Sequence, residues 1–253
     1  MLPKHETYVE VFGGGAALLF AKQASGFEVY NDLDGGLVNF FQVLRDGDID
    51  ELQRKLTLTP YSRELFRAWH LGGWQTDDPL ESAARWFFVA RSCFSGHFNG
   101  GFSTGRGKIN AWLSAIDRLP EAVARIRAVV IEHKDYKGII KQYDGRDTLF
   151  YFDPPYTHSE RSTPGNQYTH DLTDNDHADL VQSLLKLQGM AILSGYGNPI
   201  YQSLEDNGWQ RRGIAQPLCA SKARGQRSYR TESIWLNPAA TSLQPQMKME
   251  VGL

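Results

Sequence analysis

The chain has 253 residues, a formal net charge of −2, 41% hydrophobic residues and 22% charged residues. That composition suits one large domain or a core with an insert, and excludes a disordered or fibrous protein. With so balanced a charge, nucleic-acid binding must rest on local basic patches. The two cysteines, Cys93 and Cys219, cannot build a disulfide framework and fit a reducing cytosol. No apolar run reaches the ~18 residues of a membrane span, and MLPKHETYVEVF does not read as a signal peptide.

Thr7–Phe12 (TYVEVF) is β-branched and aromatic and reads as a strand. Gly13, Gly14 and Gly15 follow, and then Ala16–Ala24 reads as a helix stopped near Ser25-Gly26. Phe27–Asn31 reads as a second strand, with Asp32 and Asp34 just beyond it and a helix around Gly36–Leu44. Strand, glycine turn, helix, strand, acid is the first half of a nucleotide-binding α/β sheet.

From Asp46 to about Ser92 the sequence reads as helical and irregular, and Ser95–Lys108 (SGHFNGGFSTGRGK) as a glycine-rich loop. Val129–Glu132 resumes strand character and Lys134–Gln142 reads as a short helix. Leu149–Asp153 (LFYFD) is an apolar strand ending in an acid, followed at once by Pro154-Pro155-Tyr156 and a polar loop to about His170. Asp174–Leu187 reads as a helix with Leu180, Leu184 and Leu187 on one face. Met190–Ser194 reads as a buried strand, and Trp209–Gln216 and Tyr229–Leu236 as a late strand pair around the basic loop Lys222–Arg227. The tail from Asn237 has no pattern and is expected to be loose. These elements predict an α/β fold with a mostly parallel sheet, interrupted by an insert of about 80 residues, too long for an ordinary loop. The expected division is 1–45 with 128–236 as one domain, 46–127 as the insert and 237–253 as a tail.

Two places carry chemistry. The glycines let backbone approach a ligand at a helix start, or simply make a tight turn; with GGG spacing and no following lysine, a phosphate cradle is disfavoured. Asp32 stands where such folds grip ribose hydroxyls, or else caps a helix. Asp153-Pro154-Pro155-Tyr156 puts an acid at the carboxyl edge of the sheet. Prolines without N–H groups fix the neighbouring carbonyls as acceptors, and Tyr156 adds a flat ring for stacking. Two acceptors beside an aromatic plate suit an amino group on a planar base.

Val9–Phe20 (VEVFGGGAALLF), Tyr30–Asp34 (YNDLD) and Asp153–Tyr156 (DPPY), in that order, resemble the Dam-type, class alpha, adenine-specific DNA methyltransferases that use S-adenosylmethionine. Asp174–His177 (DNDH) and Ala191–Tyr196 (AILSGY) are similar to later motifs of that family. The resemblance implies a Rossmann-like methyltransferase fold whose largely helical insert is the target-recognition subdomain. It implies that Phe12, Gly13 and Gly15 line the methionine part of the cofactor and Asp32 binds its ribose. Asp135 and Tyr136 would lie beside its adenine, with Asp153 also bordering the cofactor. Asp153, the Pro154 carbonyl and Tyr156 would hold the target adenine. Family members usually carry an aromatic-Gly-Gly-Lys segment ahead of the cofactor strand, and this sequence shows none. Another element substitutes, or cofactor binding is weak, or the true start lies upstream.

Two stretches without Asp or Glu are basic. Ser82–Ile116 holds Arg85, Arg91, Arg106 and Lys108, and Asn207–Thr231 holds Arg211, Arg212, Lys222, Arg224, Arg227 and Arg230. Each is a solvated surface or a phosphate-binding one. For double-stranded DNA the expected contacts are Arg91, His97, Asn99, Arg106, Lys108, Arg224 and Arg227, with His97, Asn99 and Arg106 in a groove-probing loop. No ligand set accompanies His170 or His177, so helix capping or surface placement is expected and no metal. Cys93 is expected to be a buried small side chain with no catalytic part. The expected protein is cytoplasmic and DNA-associated, a monomer with a dimer as the alternative. Rival readings are an amino-methyltransferase acting on cytosine N4, RNA or a protein amide, and a non-catalytic DNA-binding relative.

Overall fold

The computed structural model describes residues 2–94, 100–155, 171–217 and 229–242. In chain order the described elements begin with β1 (Thr7–Glu10), α1 (Ala17–Ala21), β2 (Phe27–Asn31) and α2 (Gly35–Asp46). Five helices follow: α3 (Ile49–Leu58), α4 (Arg63–Trp69), α5 (Pro79–Ser92), α6 (Arg106–Asp117) and α7 (Leu119–Ile126). Then come β3 (Val129–Glu132), α8 (Tyr136–Tyr143), β4 (Thr148–Phe152), α9 (Asp174–Leu184) and β5 (Met190–Gly195). The last are α10 (Pro199–Asp206), β6 (Gln210–Pro217), β7 (Tyr229–Leu236) and α11 (Pro238–Ser242). No helix among the described residues is long and apolar enough to cross a membrane.

Seven strands form one mixed sheet in the order β3-β2-β1-β4-β5-β7-β6. β2 with β3, β1 with β4 and β4 with β5 are parallel. β7 runs antiparallel to both β5 and β6, so the expected late strand pair is an antiparallel edge on a parallel sheet. Strand order reverses between β1 and β4, the position where open parallel sheets take ligands at strand carboxyl ends.

Contacts divide the chain into two units. One gathers Met1–Val11, Lys137–Arg161 and Leu172–Leu253; the other gathers Phe12–Tyr136 and Ser162–Asp171. In the first, Val9, Phe150, Phe152, Leu193 and Trp235 are wholly buried. α9 presents His177, Leu180, Val181 and Leu184, at three- and four-residue spacing, as its buried face. This corrects the placement of His177, which neither caps a helix nor lies at the surface. Its Nδ1 lies 2.8 Å from the Tyr201 hydroxyl, and Thr173 is the α9 cap, in a reciprocal box with Asp176. α9 also ends at Leu184, short of the expected Leu187, because Asp144 takes the N–H groups of Gln188 and Gly189. After Leu236 the described residues form α11, so this part of the expected loose tail is helical. Asn237 accepts from Ala191 N (3.0 Å) and Ala240 N (2.9 Å) and donates to Gly189 O (2.8 Å), which ties α11 to β5.

In the second unit the Asp34 carboxylate caps α2, accepting from Gly36 N at 2.9 Å and Leu37 N at 3.1 Å. α2 packs on α5 through aromatic side chains, with Phe40 stacked on Phe87 at 4.9 Å between centroids. Glu28 of β2 is buried and ion-paired to Lys22, beyond α1, and to Arg125 of α7. The expected glycine-rich loop to Lys108 is shorter than its composition suggests: Gly105 takes φ 120° and Arg106 already opens α6.

Candidate active site

In the second unit the chain turns sharply after Phe12. Gly13 N donates to Asn31 O at 2.8 Å, and Gly14 adopts φ 48°, the left-handed region that glycine enters without strain. Ala16 N closes the turn on Gly13 O at 2.8 Å. Gly14 is held at both ends of its backbone. Its N–H donates to Asp32 Oδ2 at 2.8 Å, and its carbonyl accepts from the Tyr30 hydroxyl at 2.8 Å. Asp32 Oδ1 accepts from Asp34 N at 2.8 Å, so Asp32 shapes the turn while Asp34, two residues on, caps the helix.

A second loop in the same unit is fastened by Asn31. Its Nδ2 donates to Lys134 O and its Oδ1 accepts from Lys134 N, both at 2.9 Å. His133 Nε2 lies 3.0 Å from Leu33 O. Tyr136 is buried, and its ring centroid stands 6.0 Å from that of Phe12, while Asp135 is exposed beside it. Phe12, Gly13, Gly15, Asp32, Asp135 and Tyr136 therefore lie in one unit, on two loops braced by Tyr30 and Asn31. Neither Tyr30 nor Asn31 is among the site residues expected from the sequence; their signal is the polar YN pair at the end of β2.

In the first unit Asp153 follows β4. Its Oδ1 accepts a 2.5 Å hydrogen bond from the Ser194 hydroxyl of β5, and the Tyr151 hydroxyl lies 3.4 Å from Ser194 Oγ. Solvent reaches Asp153 although protein crowds it on most sides. The accessibility decides what can reach the carboxyl; the crowding decides the direction of its pKa. Desolvation pushes the carboxyl above the ordinary aspartate range, the Ser194 bond pulls it back, and Glu232 adds to the rise. Burial and the nearby Asp153 charge push the Tyr151 phenol up to about 12, so it stays a donor at neutral pH. Pro154 is buried and Pro155 half-buried. Tyr156 lies outside the described residues.

The D12 class N6 adenine-specific DNA methyltransferase family model matches residues 1–211. The chain belongs to this family. It is a transferase that methylates adenine N6 in DNA, and its class of chemistry calls for an S-adenosylmethionine-type donor. The Type II methyltransferase M.MjaIII of Methanocaldococcus jannaschii is 24% identical over 201 residues, 71% of this chain and 69% of that protein. Among solved structures, a conserved hypothetical protein of Streptococcus pyogenes matches with TM-score 0.33 and 10% identity, over 92% and 87% of the two chains. A Clostridium thermocellum protein described as a candidate rRNA-methylase matches with TM-score 0.36 and 10% identity, over 94% and 91%.

Three of the expected DNA contacts of the methyltransferase lie among the described residues. Arg91 is exposed in the last turn of α5, and Arg106 and Lys108 stand in the first turn of α6. His97, Asn99, Arg224 and Arg227 lie outside the described residues. Cys93 is buried, and burial pushes its thiol up to about 11, which leaves little thiolate at neutral pH.

Proposed function

We propose that S-adenosylmethionine is the methyl donor and that the acceptor is an adenine turned out of double-stranded DNA. The glycine turn fits that donor. A Cβ added at Gly14 or Gly15 would meet nothing within 4 Å, so a ligand has room against the backbone there. Phe12, Gly13 and Gly15 bear on its methionine part, Asp32 accepts from its ribose hydroxyls, and Asp135 and Tyr136 flank its adenine. When bound, the donor supplies an electrophilic methyl group on a sulfonium that leaves with the electron pair.

The observation that carries the reading is the state of Asp153. Ser194 engages one carboxylate oxygen, and no donor among the described residues engages Oδ2. The adenine amine is a poor nucleophile because its lone pair is delocalised into the ring. Oδ2 and the Pro154 carbonyl accept its two N–H groups and favour a pyramidal nitrogen with its lone pair exposed. As the new C–N bond forms, the nitrogen sheds one proton, for which Asp153 Oδ2 is the acceptor. Tyr156 stacks on the extruded base.

Residues 46–127 serve target recognition in this reading. Arg106 and Lys108 favour it by being in the wrong place for helix stability. Cations in a first turn oppose the helix dipole, and α6 has Gly105 at its N-cap, no side-chain cap and no acid in its first turn. A DNA phosphate is the complement such a helix start lacks. Arg91, His97, Asn99, Arg224 and Arg227 extend the contact.

The test is transfer of a labelled methyl group from S-adenosylmethionine to duplex DNA, with the modified bases mapped. Label on adenine N6 at a fixed sequence is expected, with Asp153→Asn lowering the single-turnover rate by roughly two to three decades. Label on RNA or protein but not DNA, or normal transfer by Asp153→Asn, overturns the reading.

A further inference from the structure

We propose that Ser194 is a positioning residue for methyl transfer: its hydroxyl anchors Asp153 Oδ1 and so leaves Oδ2 oriented for the target amine. The proposal rests on the role given to Asp153 above. Its geometry comes from the sheet. β4 and β5 are parallel with Phe152 opposite Leu193, and this register brings Asp153 alongside Ser194. Ser194 is 4% exposed, so water competes poorly for its hydroxyl.

A serine hydroxyl has one hydrogen and two acceptor sites. Two acceptors lie within reach of Ser194 Oγ: Asp153 Oδ1 at 2.5 Å and Phe152 O at 3.3 Å. The charged acceptor at the shorter distance takes the hydrogen. The Tyr151 hydroxyl, at 3.4 Å, donates into the serine oxygen, which further commits the serine hydrogen to an acceptor. A carboxylate on the residue after a strand otherwise rotates freely about χ2. Ser194 removes that freedom, and with it the cost of orienting the acceptor when the base arrives.

Burial first, and neighbouring charge after it, work against the ionised carboxyl that this anchor supports. Among the described residues, Glu10 of β1, Tyr151 of β4 and Glu232 of β7 are the titratable groups acting on this row, and the Glu232 charge favours protonation of Asp153. A protonated Asp153 cannot accept through both oxygens. The Ser194 bond favours the ionised carboxyl and so opposes the rise that burial and Glu232 produce.

The experiment compares Ser194→Ala, Ser194→Thr and Tyr151→Phe with wild type, using thermal melts to confirm folding. Two quantities are read: the titration of the Asp153 carboxyl by carbon-13 NMR in the protein alone, and the pH profile of single-turnover methyl transfer. Ser194→Ala is expected to raise the Asp153 pKa by about one unit and to move the acid limb of the rate to higher pH by the same amount. Transfer at neutral pH is expected to fall about tenfold or more. Ser194→Thr keeps the hydroxyl and is expected to restore both readings, and Tyr151→Phe to shift both in the same direction by less. An Asp153 titration unchanged in Ser194→Ala overturns the proposal, whether transfer is normal or is lowered equally at every pH. If Asp153→Ala transfers at the wild-type rate, the role of Asp153 itself fails, which the NMR titration distinguishes from failure of the anchor.

Discussion

The ring of Tyr30 lies so close to Gly13 that a Cβ on residue 13 would stand 2.2 Å from Tyr30 Cε2, while the Tyr30 hydroxyl holds the Gly14 carbonyl at 2.8 Å. One side chain thus packs the first glycine and fastens the second. Gly13→Ala is therefore expected to cost about 1–3 kcal/mol of stability, because a buried ring or the turn must move. Gly15→Ala is the control. Gly15 has no positive φ and open space around its Cβ position, so stability should stay within about 0.5 kcal/mol of wild type. If its backbone borders the cofactor, S-adenosylmethionine binding should nonetheless weaken. Thermal melts and calorimetry on the two variants separate packing from binding.

Asp32 shapes the fold, and in the proposed function it also binds the cofactor. Removing its carboxylate strands the N–H groups of Gly14 and Asp34. Asp32→Ala is expected to lose about 1–3 kcal/mol of stability and to weaken S-adenosylmethionine binding at least about tenfold. Saturating ligand, worth about 2.7 kcal/mol to the folded state at a hundred times Kd, should then raise Tm by less than in wild type. An unchanged ligand-induced shift would remove Asp32 from the cofactor site.

Glu28 supplies a pH test of the fold. Burial alone would raise its pKa, but hydrogen bonds from Arg125 and Lys22, with Ser25 N, outweigh it and hold the carboxyl below its ordinary value of 4.5. Arg125 grips both carboxylate oxygens, at 2.5 and 2.9 Å. The folded pKa is the depressed one. The stabilisation is therefore complete above about pH 4.5 and is lost as pH falls through the lower folded value. Glu28→Gln should cost about 3–5 kcal/mol at neutral pH by leaving two cations unbalanced. It should also reduce the acid dependence of stability. Denaturant titrations across pH 3–7 on both proteins, a range spanning roughly the carboxylate region, measure both effects.

Arg106 and Lys108 distinguish a DNA surface from an ordinary one. Since they oppose the α6 dipole, the Arg106→Ala, Lys108→Ala double variant should keep or gain stability, by about 0.3–1 kcal/mol. Its duplex affinity should fall, and the slope of log K against log salt should flatten by up to about two phosphate contacts' worth. An unchanged slope would return both residues to the solvated surface.

Sequence alone was sufficient for the order of the strands, the glycine turn, the acid after β2 and the acid and prolines after β4. Each of these is written in residues near one another in the chain: apolar alternation, a glycine where backbone must bend back, a proline where N–H must be absent. Element ends were less legible. α9 stops at Leu184 because Asp144, distant in sequence, captures the N–H groups beyond it, and α6 starts at Arg106 despite the glycine-rich run before it. Tertiary structure decided the burial of His177 against Tyr201, the antiparallel seat of β7 between β5 and β6, and the clamp of Asn31 on Lys134, 103 residues away. It decided also that Ser194 holds Asp153 across 41 residues. Local periodicity encodes which face of an element is apolar. Which polar partner meets that element's end depends on strand order and register, and those follow from how all the apolar faces are buried together.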